Sequence, residues 1–237
     1  IVGAPANGSV VVNGDGTVTY THSGSETVAD SFTYTILDAS GAVSNVATVS
    51  ITVNAVNDAP VAAADTAAVN EGAAVTIDLA ANDSDADNAL NLGSIQIVGA
   101  PANGSAVVNG DGTVTYTHDG SETVADSFSY TIRDASGAVS NVATVSITVN
   151  PVNDAPSAVN DNASVNEGAA ITIDLAANDT DTDNALNLGS IQIVGGPANG
   201  SVVVNGDGTV TYTHNGSDTV AESFTYTIRD ASGAVSN

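Results

Sequence analysis

The feature that most constrains this chain is self-similarity at a fixed interval. Ile1-Val2-Gly3 returns as Ile97-Val98-Gly99 and again as Ile193-Val194-Gly195, each step being 96 residues. Residues 1–45 and 97–141 differ at only four positions. A period of this length means that the fold is solved within one period and then repeated along the chain. The 237 residues are not a whole number of periods. Cuts at the tetrapeptides Asn57-Asp58-Ala59-Pro60 and Asn153-Asp154-Ala155-Pro156 predict three parts. Residues 1–56 form the C-terminal part of a repeat, 57–152 a complete repeat, and 153–237 a repeat lacking its last strand. A window on a longer array explains the broken ends most simply; strand exchange between chains is the alternative.

Within the complete repeat the apolar pattern has period two, the mark of half-buried strands. Val75, Ile77 and Leu79 alternate with polar residues, as do Ile95 and Ile97, Val114 and Tyr116, Phe128, Tyr130 and Ile132, and Val145, Ile147 and Val149. Short strands near Ala67–Val69 and Ser105–Val108 bring the total to about seven. Asn109-Gly110-Asp111-Gly112 reads as a hairpin turn, because Asn and Gly tolerate positive φ. With no Cys, Met or Trp, the core must be made mainly of Val, Ile, Leu and Ala, which suits β-branched strands. The fold class expected is all-β, an immunoglobulin-like antiparallel β-sandwich repeated in tandem.

Charge sets the next limit. Two Lys and Arg against 27 Asp and Glu leave −25 at pH 7. Nothing here could neutralise phosphates, so nucleic acid is excluded as a partner, and an anionic membrane surface with it. No apolar run reaches the length of a spanning helix, so membrane insertion is not expected. A charge this large repels itself as the chain compacts, and bound cations or a salty medium relieve it. Without cysteines, a metal ion is the remaining staple for small domains.

Strand alternation places the loops at two poles. The bend Asn70-Glu71-Gly72 and the loop His118–Ala125, with Asp126 just after it, fall at the base of the complete repeat. The loop Asn82–Leu92 falls at the top, and Asn153-Asp154 leaves the base for the next top. The carboxylates expected to converge at that junction are Glu71, Asp126, Asp154, Asp179, Asp181 and Asp183, with Asn153 beside them. Asn57, Asp58, Asp83, Asp85 and Asp87 are their counterparts one period earlier. Two carboxylates at about 4 Å repel by roughly 1 kcal/mol in water and by more when desolvated. Crowding of this kind calls for a divalent cation, and Ca²⁺ takes 6–8 oxygen ligands. Zinc is disfavoured by the absence of Cys and the single His per repeat. The run Asp83-Ser84-Asp85-Ala86-Asp87-Asn88 begins like an EF-hand loop but lacks its Gly and final Glu.

The linker, the Asn-Glu-Gly bend, the Ala-Asn-Asp-x-Asp-x-Asp-Asn loop, Pro-Ala-Asn-Gly-Ser, Gly-Asp-Gly-Thr-Val-Thr-Tyr-Thr and Asp-Ser-Phe-x-Tyr-Thr-Ile recur in order along the chain. Together they resemble the cadherin-like repeats of giant bacterial adhesins of the RTX type. That resemblance implies a β-sandwich extender, rigidified by Ca²⁺ at its junctions, on a bacterial cell surface or secreted. It matches Glu71 to the cadherin glutamate near a domain's base, Asn153-Asp154 to the linker acids, and Asp179 and Asp181 to the next domain's aspartate pair. The linker carries fewer acids than in cadherins, and Asp126 stands where an Asp-Arg-Glu element is missing. In the third repeat Asp126 becomes Glu222.

Other residues read as structure. His22, His118 and His214 end strands without a partnering nucleophile or second His nearby. Tyr116, Phe128 and Tyr130 have core spacing, Asn103 lies in a turn, and Arg133 and Arg229 are surface cations expected to pair with nearby acids. Near-identical repeats offer no singular acid, base and nucleophile, so no enzyme is expected. The partners expected are neighbouring repeats of the same chain and, in a filament, identical chains. A carbohydrate- or protein-binding module and a salt-adapted acidic repeat without specific metal sites are the competing functions.

Overall fold

The computed structural model describes the whole chain, residues 1–237, and contains strands, turns and bends but no helix. Its contacts group into two compact units. The first is Ile1–Ala67, Ala74–Thr117 and Asp126–Ile147; the second is Ala68–Ala73, His118–Ala125 and Thr148–Asn237.

The first unit opens with two antiparallel pairs, β1 (Gly8–Val12) with β2 (Val18–His22) and β3 (Ala29–Tyr34) with β4 (Ala47–Thr52). The complete period supplies β5 (Asp65–Asn70), β6 (Ala74–Asp78), β7 (Leu90–Gly99), β8 (Gly104–Val108), β9 (Thr113–His118), β10 (Ala125–Asp134) and β11 (Ala143–Asn150). Every strand expected from the alternation is present. They make two sheets, one ordered β5-β11-β10-β7 and the other β6-β9-β8. Alternation and burial agree along β11: Ala143, Val145, Ile147 and Val149 are buried while Thr144, Ser146, Thr148 and Asn150 are exposed. Leu79, Val114, Tyr116, Tyr130, Ile132 and Val145 are wholly buried. Each such side chain contributes about 1.5–3 kcal/mol relative to exposure.

Between β8 and β9 the turn depends on Gly110 and Gly112, at φ 83° and 94°. Asp111 closes that turn, its Oδ1 accepting from the Thr113 amide at 3.1 Å and the Thr113 hydroxyl at 2.6 Å. Strand β10 slips register against β7 between Ser129 and Tyr130 and again between Thr131 and Arg133. Such bulges re-aim side chains, and Tyr130, Thr131 and Ile132 are buried in succession.

The second unit contains β12 (Ala170–Asp174), β13 (Leu186–Gly195), β14 (Gly200–Val204), β15 (Thr209–His214) and β16 (Thr225–Asp230). Its sheets are β12-β15-β14 and β13-β16. Leu175, Ile191, Val210 and Ile228 form its buried core. Residues 161–166, one period after β5, are not strand.

Candidate metal centre

The second unit gathers three carboxylates from well-separated stretches. Glu71, Glu122 and Asp154 each offer an oxygen, and these oxygens lie within 4.8 Å of one another. Glu71 is half-buried; the other two are exposed. The Glu71 bend stays on its strand end because its own amide donates to the Asn150 carbonyl at 2.9 Å. Its Oε2 accepts from the Val152 amide at 3.1 Å, tying the start of the linker to the same side chain.

A buried histidine sets the spacing of the two glutamates. His118 Nδ1 accepts from the Gly72 amide at 3.3 Å and from the Gly120 amide at 3.2 Å. One ring nitrogen thus joins the bend carrying Glu71 to the loop carrying Glu122. With Nδ1 accepting, Nε2 carries the proton, and Thr123 Oγ1 lies 3.0 Å from it. The expected structural role of His118 is therefore a specific one.

Asp183 completes the surroundings. Its Oδ2 accepts from the Asp154 amide at 3.3 Å, and its charge acts on Glu122. The Glu122 carboxyl is held above the usual carboxylate range, first by desolvation and then by Glu71, Asp183 and Asp154. Asp181 Oδ1 accepts from the amides of Asp183 at 3.2 Å and Asn184 at 2.6 Å. Its Oδ2 is buried without any partner. One period earlier, in the first unit, Glu26 is raised by desolvation and then by Asp58 and Asp87. Asp87 Oδ2 accepts from the Asp58 amide at 3.3 Å, and Asp85 Oδ2 is likewise buried and unpartnered.

Several expected ligands are occupied elsewhere. Asp126 accepts from the amides of Ala102 at 3.0 Å, Asn103 at 2.9 Å and Ser127 at 2.8 Å, and from the Tyr116 hydroxyl at 2.9 Å. Those donors stabilise its ionised form, and its carboxyl sits below the usual range although burial opposes this. Glu222 does the same in the third repeat, accepting from the amides of Ala198 and Asn199. Glu122, and not Asp126, is the acid that its loop brings to Glu71 and Asp154. Asp83 and Asp179 turn inward, within 3.1 Å of the hydroxyls of Tyr130 and Tyr226 respectively. Asn57 and Asn153 spend their side-chain amides on Asp134 and Asp230, at 2.5 and 2.6 Å.

No internal cation offsets these acids. The expectation that Arg133 and Arg229 pair with nearby carboxylates fails, because their guanidinium groups donate to the Gly137 and Gly233 carbonyls at 2.9 and 2.8 Å. The turns beside them offer a closer acceptor than any acid. His118 Nε2 lies 4.0 Å from Asp119 Oδ1, but with Nδ1 accepting from two amides the ring is neutral and makes no ion pair.

All donors in the cluster are oxygens, with no Cys in the chain and the His118 ring turned to backbone amides. Two oxygens on one Ca²⁺, each at 2.3–2.6 Å, lie at most about 5 Å apart. The 4.8 Å spread fits that ion.

The family described as bacterial cadherin-like domain matches residues 1–55 and 57–151, and the bacterial Ig domain family matches 153–237. No curated protein matches the chain. Among solved structures, the protocadherin gamma B7 extracellular cadherin domains 1–4 are similar at TM-score 0.50 and 16% identity, covering 95% of this chain and 61% of that one. Drosophila N-cadherin EC1-4 is similar at TM-score 0.43 and 15% identity, covering 97% and 63%. The human desmocollin-1 ectodomain gives 0.41 and 14%, covering 97% and 47%. The chain thus spans less than two thirds of each of these structures. At 16% identity the likeness to the protocadherin domains concerns the fold alone, and with the two family matches the chain is an all-β tandem of cadherin- and immunoglobulin-like sandwiches.

Proposed function

Since this chain belongs to the bacterial cadherin-like domain family, we propose that it is a stretch of an extracellular adhesin array whose repeats are held in line by Ca²⁺ beside the linkers. The observation that carries this reading is the meeting of Glu71, Glu122 and Asp154 in a chain without an arginine–carboxylate pair to spare. Calcium supplies divalent charge and accepts an irregular set of oxygens. The chain's own residues do the positioning. Glu71 fixes the start of the linker through the Val152 amide, and Asp183 orients Asp154 through its amide. In the first unit Glu26, Asp58 and Asp87 are the counterparts of Glu122, Asp154 and Asp183.

On this reading 1–56, 57–152 and 153–237 are successive beads of an RTX-type adhesin on a bacterial surface, and their partners are neighbouring repeats. Domains of these families are structural modules as a rule, which supports a non-enzymatic role. No helix is long and apolar enough to cross a membrane.

Calorimetric titration of the chain with Ca²⁺ tests the reading. Micromolar to millimolar binding is expected, with the double variant Glu71→Gln/Glu122→Gln losing one site. Absence of binding by the unaltered chain sinks the proposal and leaves salt adaptation in its place. Small-angle scattering should show a stiffer particle in Ca²⁺ than in EDTA.

A further inference from the structure

The chain contains seven Asn-Gly pairs. Glycine has no side chain to shield its nitrogen, so an asparagine before it is open to attack by its own backbone. Most of the pairs are held by the fold. Asn13, Asn109 and Asn205 donate their side-chain amides to threonine hydroxyls across the hairpin. The glycines after Asn7, Asn103 and Asn199 open strands β1, β8 and β14.

Asn215-Gly216 differs from these. The pair follows β15, and both residues are exposed. The Gly216 amide donates to Nδ1 of the buried His214 at 3.2 Å. Asn215 Oδ1 accepts from the Ser217 amide at 3.0 Å. Gly216 has φ 85°, and the space a Cβ would take there is open. A base therefore sits on the attacking nitrogen, and an N–H group faces the oxygen that would gain charge.

We propose that Asn215-Gly216 is a self-modifying site, at which His214 promotes deamidation of Asn215 to aspartate. The Gly216 nitrogen attacks Asn215 Cγ while His214 Nδ1 takes its proton, and negative charge develops on Oδ1 facing the Ser217 amide. The Cγ–Nδ2 bond then breaks, His214 returns the proton to the departing nitrogen, and ammonia leaves a cyclic succinimide. Water opens the ring. Addition at Cγ breaks the new bond to Gly216 and gives aspartate; addition at the backbone carbonyl gives isoaspartate. One water is consumed and one ammonia released, with no change of oxidation state. Nothing in this chemistry requires a bound cation, so it stands apart from the calcium reading.

The earlier periods supply the comparison. The same position is Asp119 one period before, where Oδ1 accepts from the Ser121 amide at 3.0 Å and His118 Nδ1 from the Gly120 amide at 3.2 Å. Aspartate thus already occupies this turn, and deamidation gives the third repeat the residue that the second carries. Two periods before, His22 Nδ1 accepts from the Gly24 amide at 3.3 Å, but Ser23 offers no carbonyl to attack.

Incubation of the full chain at neutral pH, followed by peptide mapping with mass spectrometry, tests the site. Asn215 should convert at least about tenfold faster in the folded chain than in the same chain held in urea, with Asn199 and Asn205 lagging behind it. His214→Asn places an amide oxygen where Nδ1 stood, so Gly168 and Gly216 keep an acceptor and lose the base. Conversion should then slow by about tenfold or more, with exchange of the Gly168 amide as the control for an intact turn. Asp119→Asn leaves the third repeat untouched and should create a second site of similar rate, which decides the matter if His214→Asn loosens the turn. Equal rates in folded and unfolded chain overturn the proposal. So does an unaltered rate in His214→Asn, or an Asp119→Asn variant whose new asparagine stays intact.

Discussion

Tyr130 and Asp65, 65 residues apart in sequence, meet with Oη 3.1 Å from Oδ2. The same hydroxyl lies 3.0 Å from Asp83 Oδ1, and a phenol has one proton for both carboxylates. Burial pushes Asp65 above the usual carboxylate range, and the neighbouring Asp83 adds to this against the Tyr130 hydrogen bond; burial also raises Asp83. The folded chain therefore holds protons that the unfolded chain would release. The pair's penalty is full at neutral pH and eases as pH falls through the raised values toward the unfolded range near 4. Asp65→Asn should raise the urea midpoint at pH 7 in EDTA by about 0.3 M or more. The gain should shrink at pH 4.5; an equal gain at both would argue against shared protonation.

Glu122 and Asp126 should separate cleanly in function. Glu122→Gln is expected to weaken Ca²⁺ binding about tenfold and leave stability in EDTA nearly unchanged. Asp126→Ala removes the acceptor for three amides and a phenol, costing about 1–3 kcal/mol with little effect on the affinity of folded protein. Calorimetry paired with urea denaturation distinguishes the two.

His118→Ala deprives the Gly72 and Gly120 amides of their common acceptor. A loss of about 2 kcal/mol follows if both amides go unsatisfied, together with weaker Ca²⁺ binding as Glu71 and Glu122 lose their spacing. Unaltered affinity in a destabilised variant would confine His118 to the fold.

Added salt should act in place of the missing internal cations. In EDTA the melting temperature should rise steadily with KCl, because screening weakens repulsion among exposed carboxylates. With saturating Ca²⁺ the same titration should be markedly flatter. Equal slopes would mean that the bound charge is not where the repulsion is.

The strands and their faces could be read directly from the sequence, because a half-buried strand writes its burial as alternation and β11 does so at every position. The convergence of Glu71 with the linker could be read too, since loop poles follow from strand direction. What stayed hidden depends on contacts distant in sequence. Asp126 looks as available as Glu122 until the amides of Ala102 and Asn103, more than 20 residues away, are seen to occupy it. Nothing in Asp83-Ser84-Asp85 shows that its first carboxylate turns toward Tyr130. A signal for Glu122 did exist: acids recur at Glu26, Glu122 and Asp218, in the same loop of every period.

The pairing of β3 with β4 has a consequence for how the chain folds. β4 and β11 carry the same Ala-Thr-Val-Ser-Ile-Thr run, so β10 meets two chemically equal candidates during folding. Contacts cannot choose between them, but connection length can. The path from Asp134 to Ala143 is short, whereas that from Thr52 to Ala125 crosses most of a period. Closing a loop roughly ninefold longer costs about 2 kcal/mol more, a margin of some thirtyfold in favour of the local partner. Shortening the period or lengthening the β10–β11 connection would erode that margin and open a route to mispaired neighbours.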